Sequence, residues 1–392
     1  MQNDLIKWRR DFHRHPELGF NEVRTSSIVT EELKRLGIDE IQNLASTGIA
    51  AMIRGEEEGP TIMLRADMDA LPIHDEKTVS YSSIYKNAAH LCGHDAHTAI
   101  LLGTARLLCE TGLKQGNVKL VFQPAEEGLA GARAMIQEGV LENPKVNAVV
   151  ALHVQPSLPT GQISVCPNAC TANSDRFNLV VHGTGGHAAH PHKSVDSVTI
   201  AADIISCLQK IISRQIDPLN PAVITIGKIE GGFARNVIAP SVKMEGTIRT
   251  LDLQTRVLIP QKLEKIVKGF CDSFGATYEL EYMTGYPSVV NDPSLIPLLQ
   301  KTAASILAPD CFNIDKPSMG GEDFSYFTEH ISGLYFRLGT RNEEKGFIYQ
   351  HHHPLFDIDE DALPLGAALL AEFVLEYLFE NRNTKNSQKL GR

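Results

Sequence analysis

The sequence contains no long apolar run. None of its continuous apolar segments reaches the roughly 18 residues that a membrane-spanning helix needs. The N-terminal segment MQNDLIKWRRDFHRHPE is too rich in charged residues to act as a signal peptide, which requires an uninterrupted apolar stretch. We therefore expect a cytoplasmic protein without a membrane partner.

The sequence also lacks an excess of positive charge and a regular set of cysteines. Its 37 Lys and Arg against 47 Asp and Glu give a formal net charge of -10, which argues against a nucleic acid or an anionic membrane as partner. The seven cysteines are odd in number and widely scattered, which favours reduced thiols over a disulfide framework. Internal repeats and low-complexity segments are absent as well.

Helical and strand patterns alternate along the first part of the chain. Helices are predicted over residues 1–15, 23–37 and 95–111, and near-continuous apolar strands such as TIMLRAD, KLVFQ and VNAVVALHV lie between them. Such strands are typical of a sheet that helices cover on both faces. The pattern therefore predicts an α/β fold.

The pattern changes between residues 175 and 288 to β-α-β-β-α-β, which is the order of a ferredoxin-like unit. After it, two helices with the strand GLYFRLG between them return to the first pattern. We predict a three-layer α/β/α domain formed by residues 1–174 and 289–382, with a smaller domain inserted at 175–288. Residues 383–392 are polar and are predicted to form a frayed tail.

Histidines are concentrated in four places. Of the fifteen in the chain, many lie in HLCGHDAH (90–97), GGHAAHPH (185–192) and HHHP (351–354), and His153 closes the strand VVALHV. A single His on an apolar strand is usually a core residue. Each of these concentrations, however, lies at a predicted strand end or loop, where the sites of α/β sheets assemble.

The segment LCGHDAH offers a thiol and an imidazole from one loop. Cys92 and His94 can converge because Gly93 between them allows a turn. Thiolate and imidazole ligands suit zinc and also Mn, Co or Ni at a mixed site. The alternative is that Asp95 caps a helix while Cys92 is buried by chance, and both interpretations can hold together.

The segment QPAEEG places Glu126 and Glu127 at the end of the next strand. On its own, an acid pair after a proline is a common helix start, because acids in the first turn complement the helix dipole. Combined with His153 and one more His from the C-terminal segment, the set exceeds one tetrahedral ion and suits two ions that share a water. A carboxylate beside a ligand carboxylate would then act as general base.

Ten motifs follow one another along the chain and carry a family resemblance: RRDFHRHPELGFNE, LRADMDALPI, HLCGHDAHTA, QPAEEG, ALHV, GTGGHAAHPH, RNVIAP, GTIRT, MGGEDFSYF and HHPLFDIDEDAL. Over about residues 8–380 they resemble the amidohydrolase family of hippurate hydrolases, auxin-conjugate (indole-acetyl amino acid) hydrolases and N-acyl-L-amino-acid amidohydrolases. These belong to the co-catalytic metallopeptidases, with carboxypeptidases and succinyl-diaminopimelate desuccinylase. The resemblance implies that the larger domain is a dinuclear-metal catalytic domain and that the inserted domain is a lid.

The resemblance also implies a metal centre. Two divalent ions, manganese first and zinc, cobalt or nickel as alternatives, would be bound by Cys92, His94, Glu127, His153 and His352. Glu126 would be the general base that takes a proton from the bridging water and delivers it to the leaving nitrogen. His352 matches the family's H-x-P-x-F pattern, and His351 and His353 stay open as alternatives.

Four further residues have implied roles next to this centre. Asp67 stands where related peptidases have a His ligand, which the thiolate makes unnecessary in this branch. Asp69 either supports a metal ligand or has a purely structural role. Gly320 and Gly321 would let the backbone approach the substrate, just before a helix predicted to start at Glu322.

The lid would supply the remaining substrate contacts. His187 would stabilise the oxyanion, either within its own chain or from a partner subunit. Asn236 and Arg249 would face the substrate, with Arg249 as a bidentate clamp for a free α-carboxylate. The alternatives are that Asn236 caps a turn and that Arg249 is a solvated strand residue.

The function that the resemblance implies is cleavage of the amide bond of N-acyl-L-amino acids, of the acetyl, benzoyl or indole-acetyl type. A dipeptidase or carboxypeptidase with the same centre is the alternative within catalysis. A metal-binding protein that has lost catalysis is a further alternative, which the presence of Glu126 disfavours. The expected partner is a small-molecule substrate, and relatives that pair through the lid imply a homodimer or higher homo-oligomer.

Overall fold

The structure is a computed structural model that describes the backbone of residues 1–390 and the side chains of residues 1–381. It contains two compact units, of which the second consists of Ala169–Ser288 and Pro317–Glu322. The inserted unit thus begins at Ala169 rather than at residue 175, and it includes a short return segment that the sequence pattern does not indicate. The predicted frayed tail, 383–392, lies outside the residues whose side chains are described.

The first unit begins with alternating helices and strands. Their bounds are α1 Gln2–Arg14, α2 Val23–Arg35, β1 Ile41–Leu44, β2 Gly48–Arg54, β3 Glu57–Asp67, α3 His94–Thr111, β4 Gln115–Gln123, α4 Glu126–Leu129, α5 Gly131–Gln137, β5 Ala148–Pro159, β6 Ile163–Val165 and β7 Asn168–Ala169. The helices predicted over 1–15, 23–37 and 95–111 are therefore confirmed to within a few residues.

The second unit has the predicted β-α-β-β-α-β order. Its elements are β8 Asn173–His182, β9 Gly186–His187, α6 Ser197–Gln215, β10 Ala222–Gly231, β11 Val237–Ile238, β12 Ser241–Thr250, α7 Leu253–Phe274 and β13 Thr277–Tyr286. The four long strands form an antiparallel sheet in the order β10-β12-β8-β13, which is the ferredoxin-like topology. Alternate residues of β8, such as Phe177 and Leu179, pack with α6 and α7 in one core.

The first unit resumes with β14 Val290–Asn291, α8 Ile296–Ile306, β15 Phe312–Ile314, α9 Ser325–Thr328, β16 Ser332–Arg341 and α10 Ala362–Leu390. The helix predicted from Glu322 begins three residues later, at Ser325. It is preceded by a tight turn in which the Tyr326 N–H donates to the Asp323 carbonyl oxygen. The central sheet has the order β1-β2-β4-β3-β5-β16-β6-β15, and β4, β3, β5 and β16 run parallel.

The parallel strands are buried on both faces. Ile62, Leu64 and Ala66 of β3 point into a core shared with α1, α3 and α10, while Met63 between them is equally buried on the opposite face. Helix α5 packs on β4 and α9 packs on β16. This three-layer arrangement explains the uninterrupted apolar character of the strands and confirms the predicted fold class.

Helix α10 contains the most apolar long segment among the described residues. Over Ala362–Asn381 it is long and apolar enough to cross a membrane by length and composition, with a mean hydropathy of 1.6. In the structure it packs on α3 and α8, and its side chains Leu363, Leu370 and Phe373 are buried in the core. Burial of this kind is that of a core helix in a large domain.

Substitution of Gly93 tests whether the turn before α3 requires a residue without a side chain. The φ of Gly93 is 99°, and a Cβ added there would lie 2.2 Å from Val154 Cγ2 on β5. Gly112 ends the same helix with φ 74° and has no atom within 4 Å of an added Cβ. We expect Gly112→Ala to lower the free energy of unfolding by about 1–3 kcal/mol, the strain of a backbone conformation (φ 74°, ψ 151°) that only glycine adopts readily.

Gly93→Ala combines the strain of a left-handed residue with a steric clash against Val154, so its expected loss is about 3–5 kcal/mol. Urea unfolding of the two variants and the parent protein measures both values. Equal losses for the two variants would show that the close approach of Gly93 to β5 does not constrain the loop.

Candidate metal centre

The candidate site lies at the carboxyl ends of the neighbouring parallel strands β4, β3 and β5. Asp67 is the last residue of β3, Gln123 is the last residue of β4, and His153 lies within β5. The segment that follows β3 carries Asp69, Cys92 and His94, and the segment that follows β4 carries Glu126 and Glu127. This edge of a parallel sheet is where sites assemble in α/β folds.

The ligand atoms of the predicted residues converge in overlapping groups. Those of Cys92, His94 and His153 lie within 4.8 Å of one another, and so do those of Cys92, Glu127 and His352. Cys92 Sγ is 3.5 Å from His153 Nε2, and His352 Nε2 is 3.5 Å from Glu127 Oε1. Because the two groups share Cys92, they match the requirements of two neighbouring cations better than those of one.

Two of these ligand atoms are buried and have no hydrogen-bond partner among the described residues. They are His94 Nε2 and Glu127 Oε1. The other ring nitrogen of His94, Nδ1, lies 2.8 Å from the carbonyl oxygen of Asp69 and 3.2 Å from its Oδ1. Nδ1 therefore donates to Asp69, and Nε2 faces the centre. Although burial opposes it, Asp67 and Cys92 raise the pKa of His94 well above its usual range, so a cation would take the place of the proton on Nε2. A divalent cation would satisfy both buried atoms, so the residues fit a metal.

His153 is held in the form that binds a metal. Its Nδ1 donates to the Val154 carbonyl oxygen at 2.8 Å, which leaves the Nε2 lone pair directed at Cys92. Burial, with help from neighbouring His97, holds the pKa of His153 well below its usual range. The ring is therefore neutral at physiological pH, as coordination requires.

The Cys92 thiol depends on a cation for its charge. Burial raises its pKa to about 12, and the neighbouring Glu127 carboxylate acts in the same direction while His94 opposes them. Without a cation the thiol stays protonated at neutral pH. Metal binding at this site would therefore release the thiol proton, and the affinity should rise with pH.

The two adjacent acids have different supports. The Glu127 N–H donates to Asp69 Oδ2 at 2.9 Å, so Asp69 contacts both the His94 ring and the Glu127 backbone. Glu126 Oε1 accepts the N–H of Asp323 at 3.3 Å. Carboxylate oxygens of both acids lie within 4.8 Å of a His94 ring nitrogen. The pair thus presents two carboxylates to one centre from separately held positions.

The structure distinguishes the three consecutive histidines. His352 has a φ of 65° and its ring points to Glu127. His351 Nε2 instead donates to the Val154 carbonyl oxygen at 2.9 Å. His353 stacks on Tyr349, with ring centroids 4.5 Å apart, and its Nδ1 accepts the Leu355 N–H. Of the three, only His352 joins a group of ligand atoms.

His97 is a site residue that the sequence interpretation missed. Its Nδ1 is 2.6 Å from Asp67 Oδ1, and its Nε2 accepts the Val154 N–H at 2.9 Å. Although burial opposes it, His94, Arg65 and His97 hold the pKa of Asp67 well below its usual range. The available signal was the spacing of His94 and His97, three residues apart on one helical face.

Arg65 and Asp323 were also missed. Arg65 Nη1 donates to Asp67 Oδ2 at 2.7 Å, its Nη2 donates to Asp323 Oδ1 at 2.9 Å, and its Nε donates to Gln123 Oε1 at 2.8 Å. The Asp323 carboxylate also accepts the Ala132 N–H at 2.9 Å. These buried contacts tie the ends of β3 and β4 to the segment after residue 322. The motifs LRAD and GGEDF contain them, but sequence alone gives no partner.

His187 and Asn236 lie side by side in the second unit. His187 of β9 pairs with Val237 of β11, and the Asn236 carbonyl oxygen accepts the Ala188 N–H at 3.1 Å. The Ala189 N–H donates to His187 Nδ1 at 3.1 Å, so the neutral ring carries its proton on Nε2. The exposed His187 side chain therefore offers a hydrogen-bond donor.

Arg249 lies half-buried on β12. Its Nη1 donates to the Thr247 hydroxyl and, at 3.3 Å, to the Ile248 carbonyl oxygen. Gly320 and Gly321 are exposed and belong to the return segment of the same unit, and the Gly320 carbonyl oxygen accepts the Ala172 N–H at 2.9 Å.

Comparison with known proteins places the chain in a family. The model of "Peptidase family M20/M25/M40" matches residues 63–376. A thermostable carboxypeptidase of Saccharolobus solfataricus is 41% identical over 383 residues, which cover 96% of each protein. An N-acetylcysteine deacetylase of Bacillus subtilis is 38% identical over 374 residues, which cover 95% of this chain and 96% of the relative.

A solved structure agrees with these relatives. A Bacillus subtilis protein described as a dinuclear metal binding peptidase from the M20 family is 36% identical and has a TM-score of 0.84, covering 97% of this chain and 99% of that one. The predicted resemblance to this group of amidohydrolases and the predicted hydrolase class are both confirmed. The chain belongs to peptidase family M20/M25/M40 and is a hydrolase.

Proposed function

We propose that the chain is a metal-dependent amidohydrolase that cleaves N-acyl-L-amino acids of the acetyl, benzoyl or indole-acetyl type. The observation that carries the proposal is that the ligand atoms of one thiol, several imidazoles and Glu127 lie close together and include buried atoms without a hydrogen bond to any described residue. The carboxylate of Glu126 lies beside them. The name of the relative that deacetylates N-acetylcysteine supports an amide substrate.

The proposed cofactor is a pair of divalent cations, manganese first and zinc, cobalt or nickel as alternatives. The residues that would hold them are Cys92, His94, Glu127, His153 and His352. When bound, such cations polarise a carbonyl group and make water more acidic. The mixed set of thiolate, imidazole and carboxylate admits each of these metals.

Glu126 is the proposed general base. It takes a proton from the attacking water and delivers it to the amide nitrogen as the C–N bond breaks. The Asp323 N–H donates to one Glu126 oxygen, and the Asp69 carboxylate accepts the backbone N–H of the neighbouring Glu127. Because the two acids are supported separately, one can stay a ligand while the other exchanges a proton.

The second unit supplies the proposed substrate contacts. His187 Nε2–H donates to the oxyanion of the tetrahedral intermediate, from its own chain or from a partner subunit. Asn236 binds the substrate, and Arg249 holds its free α-carboxylate. Gly320 and Gly321 allow close approach of the substrate to the backbone. A homodimer through this unit and a cytoplasmic location complete the proposal.

A substrate screen tests the proposed function against its main alternative. The metal-free protein is reconstituted separately with Mn, Zn, Co and Ni and is assayed with acetyl-, benzoyl- and indole-acetyl-amino acids and with an unblocked dipeptide. We expect higher kcat/KM for at least one N-acyl amino acid than for the dipeptide. The reverse order would favour a peptidase, as the name of the carboxypeptidase relative suggests.

The roles within the acid pair are separable by two matched substitutions. We expect Glu126→Gln to keep both cations while kcat falls by about 100-fold to 10,000-fold, because only the proton acceptor is removed. Glu127→Gln should instead lose metal. Elemental analysis and steady-state kinetics on both variants measure this contrast, and near-normal turnover of Glu126→Gln would overturn the assignment.

A further inference from the structure

A groove of about 480 Å³ opens on the sheet of the second unit. We call it the basic groove, and it is lined by Arg176, Asn178, Gly227, Lys228, Glu245, Gly246, Thr247, Arg249 and Met283. It lies on the sheet face that α6 and α7 do not cover, since the alternate residues of β8 and β12 fill the core beneath those helices. The groove is therefore open to a ligand within this unit.

The groove carries an excess of positive charge in a chain whose net charge is -10. Of its cations, Lys228 is paired with Glu230 at 3.0 Å and with Glu245 at 3.3 Å. Arg176 and Arg249, in contrast, form no ion pair with any acidic side chain among the described residues. Two guanidinium groups are thus left without a directly paired carboxylate, although the chain has ten more acidic than basic residues.

The two arginines are diagonal neighbours on one face. In the register of β12 with β8, Arg249 lies opposite Ser174, and Arg176 lies opposite Thr247. Diagonal neighbours of this kind are about 7–8 Å apart. Burial and the nearby charge of Arg176 lower the pKa of Arg249, and the charge of Asp175 only partly opposes them. An anion between the two side chains would relieve this repulsion.

The floor of the groove leaves room for a ligand. β10 has a bulge between Ile226 and Lys228, so Gly227 breaks the regular pairing with β12, and a Cβ added to Gly227 would meet no atom within 4 Å. Gly246 on β12 contributes only backbone to the groove, because a Cβ there would point away from it into the Phe177 ring of the core. Asn178 and Thr247 at the sides can hydrogen-bond to a polar ligand.

We propose that the basic groove selects N-acylated acidic amino acids. Arg249 binds the α-carboxylate, as in the proposed function on which this inference rests, and Arg176 binds the side-chain carboxylate of the same substrate. Arg176 is thus a specificity-determining residue that touches the amino-acid side of the substrate. A planar guanidinium suits this task because it forms paired hydrogen bonds with a carboxylate.

The test compares N-acetyl-L-glutamate with N-acetyl-L-glutamine, which differ only in the second carboxylate. In the parent enzyme we expect kcat/KM to be about 10- to 100-fold higher for the glutamate compound, the usual effect of a hydrogen-bonded charge. In Arg176→Gln this preference should disappear through a higher KM for N-acetyl-L-glutamate. The kcat/KM for N-acetyl-L-glutamine should fall by a smaller factor than that for N-acetyl-L-glutamate, because the amide side chain carries no charge for Arg176 to pair with.

Two variants control for charge and for the shared carboxylate. Lys243→Gln removes one positive charge from an exposed position on the same face of β12, outside the groove lining, and should keep the preference. Arg249→Ala should lower kcat/KM for both compounds by similar factors, because both carry an α-carboxylate. Arg176→Lys, which keeps the charge but not the planar fork, should retain part of the preference.

The outcomes separate this inference from the proposed function. Hydrolysis of N-acetyl amino acids with no preference for glutamate, or with a preference that survives in Arg176→Gln, overturns the inference and leaves the proposed function standing. If no N-acyl amino acid is cleaved with any of the four metals, the proposed function is overturned, and the inference that rests on it is overturned as well. A dependence on Arg176 for N-succinyl-L-alanine but not for N-acetyl-L-glutamate would place the second carboxylate on the acyl group and overturn the side-chain assignment.

Discussion

The site depends on buried ligand atoms that no hydrogen bond among the described residues satisfies. His94 Nε2 and Glu127 Oε1 are removed from water and have no hydrogen-bond partner among the described residues, at a typical cost of about 1–3 kcal/mol each. Asp69 contacts both residues and fixes them at the ends of parallel strands. Such an arrangement is stable when a cation completes it, so metal binding and local stability are coupled.

A network of buried charged side chains holds these ligand residues in position. Asp67 is held by Arg65 and His97, and His97 in turn accepts the N–H of Val154, whose carbonyl oxygen receives the His351 ring. The two peptide groups on either side of Val154, next to the proposed ligand His153, are thereby held in place. Removal of one partner from a buried pair leaves an uncompensated charge, so these residues position the ligands even though they do not belong to the proposed set.

The sequence could predict those features that depend on residues close together in the chain. Apolar strands with helices between them, the β-α-β-β-α-β order and the motifs around Cys92 and Glu127 depend on local spacing, and the fold follows from them. The partners of Arg65 and Asp323 could not be predicted, because their 258-residue separation is bridged only by the folded sheet. The H-x-P-x-F pattern favoured His352 but left His351 and His353 open, and the directions of the three rings in the structure favour His352 over both.

Titration of the metal-free protein with Co²⁺, followed by absorption spectroscopy, tests the central claim most directly. The claim is that Cys92, with imidazole and carboxylate ligands, forms a centre for two cations. We expect binding to saturate at two equivalents per chain, with an intense thiolate-to-cobalt charge-transfer band that Cys92→Ser abolishes and Cys109→Ser leaves intact. Saturation at one equivalent, or the absence of a band that depends on Cys92, would contradict the account.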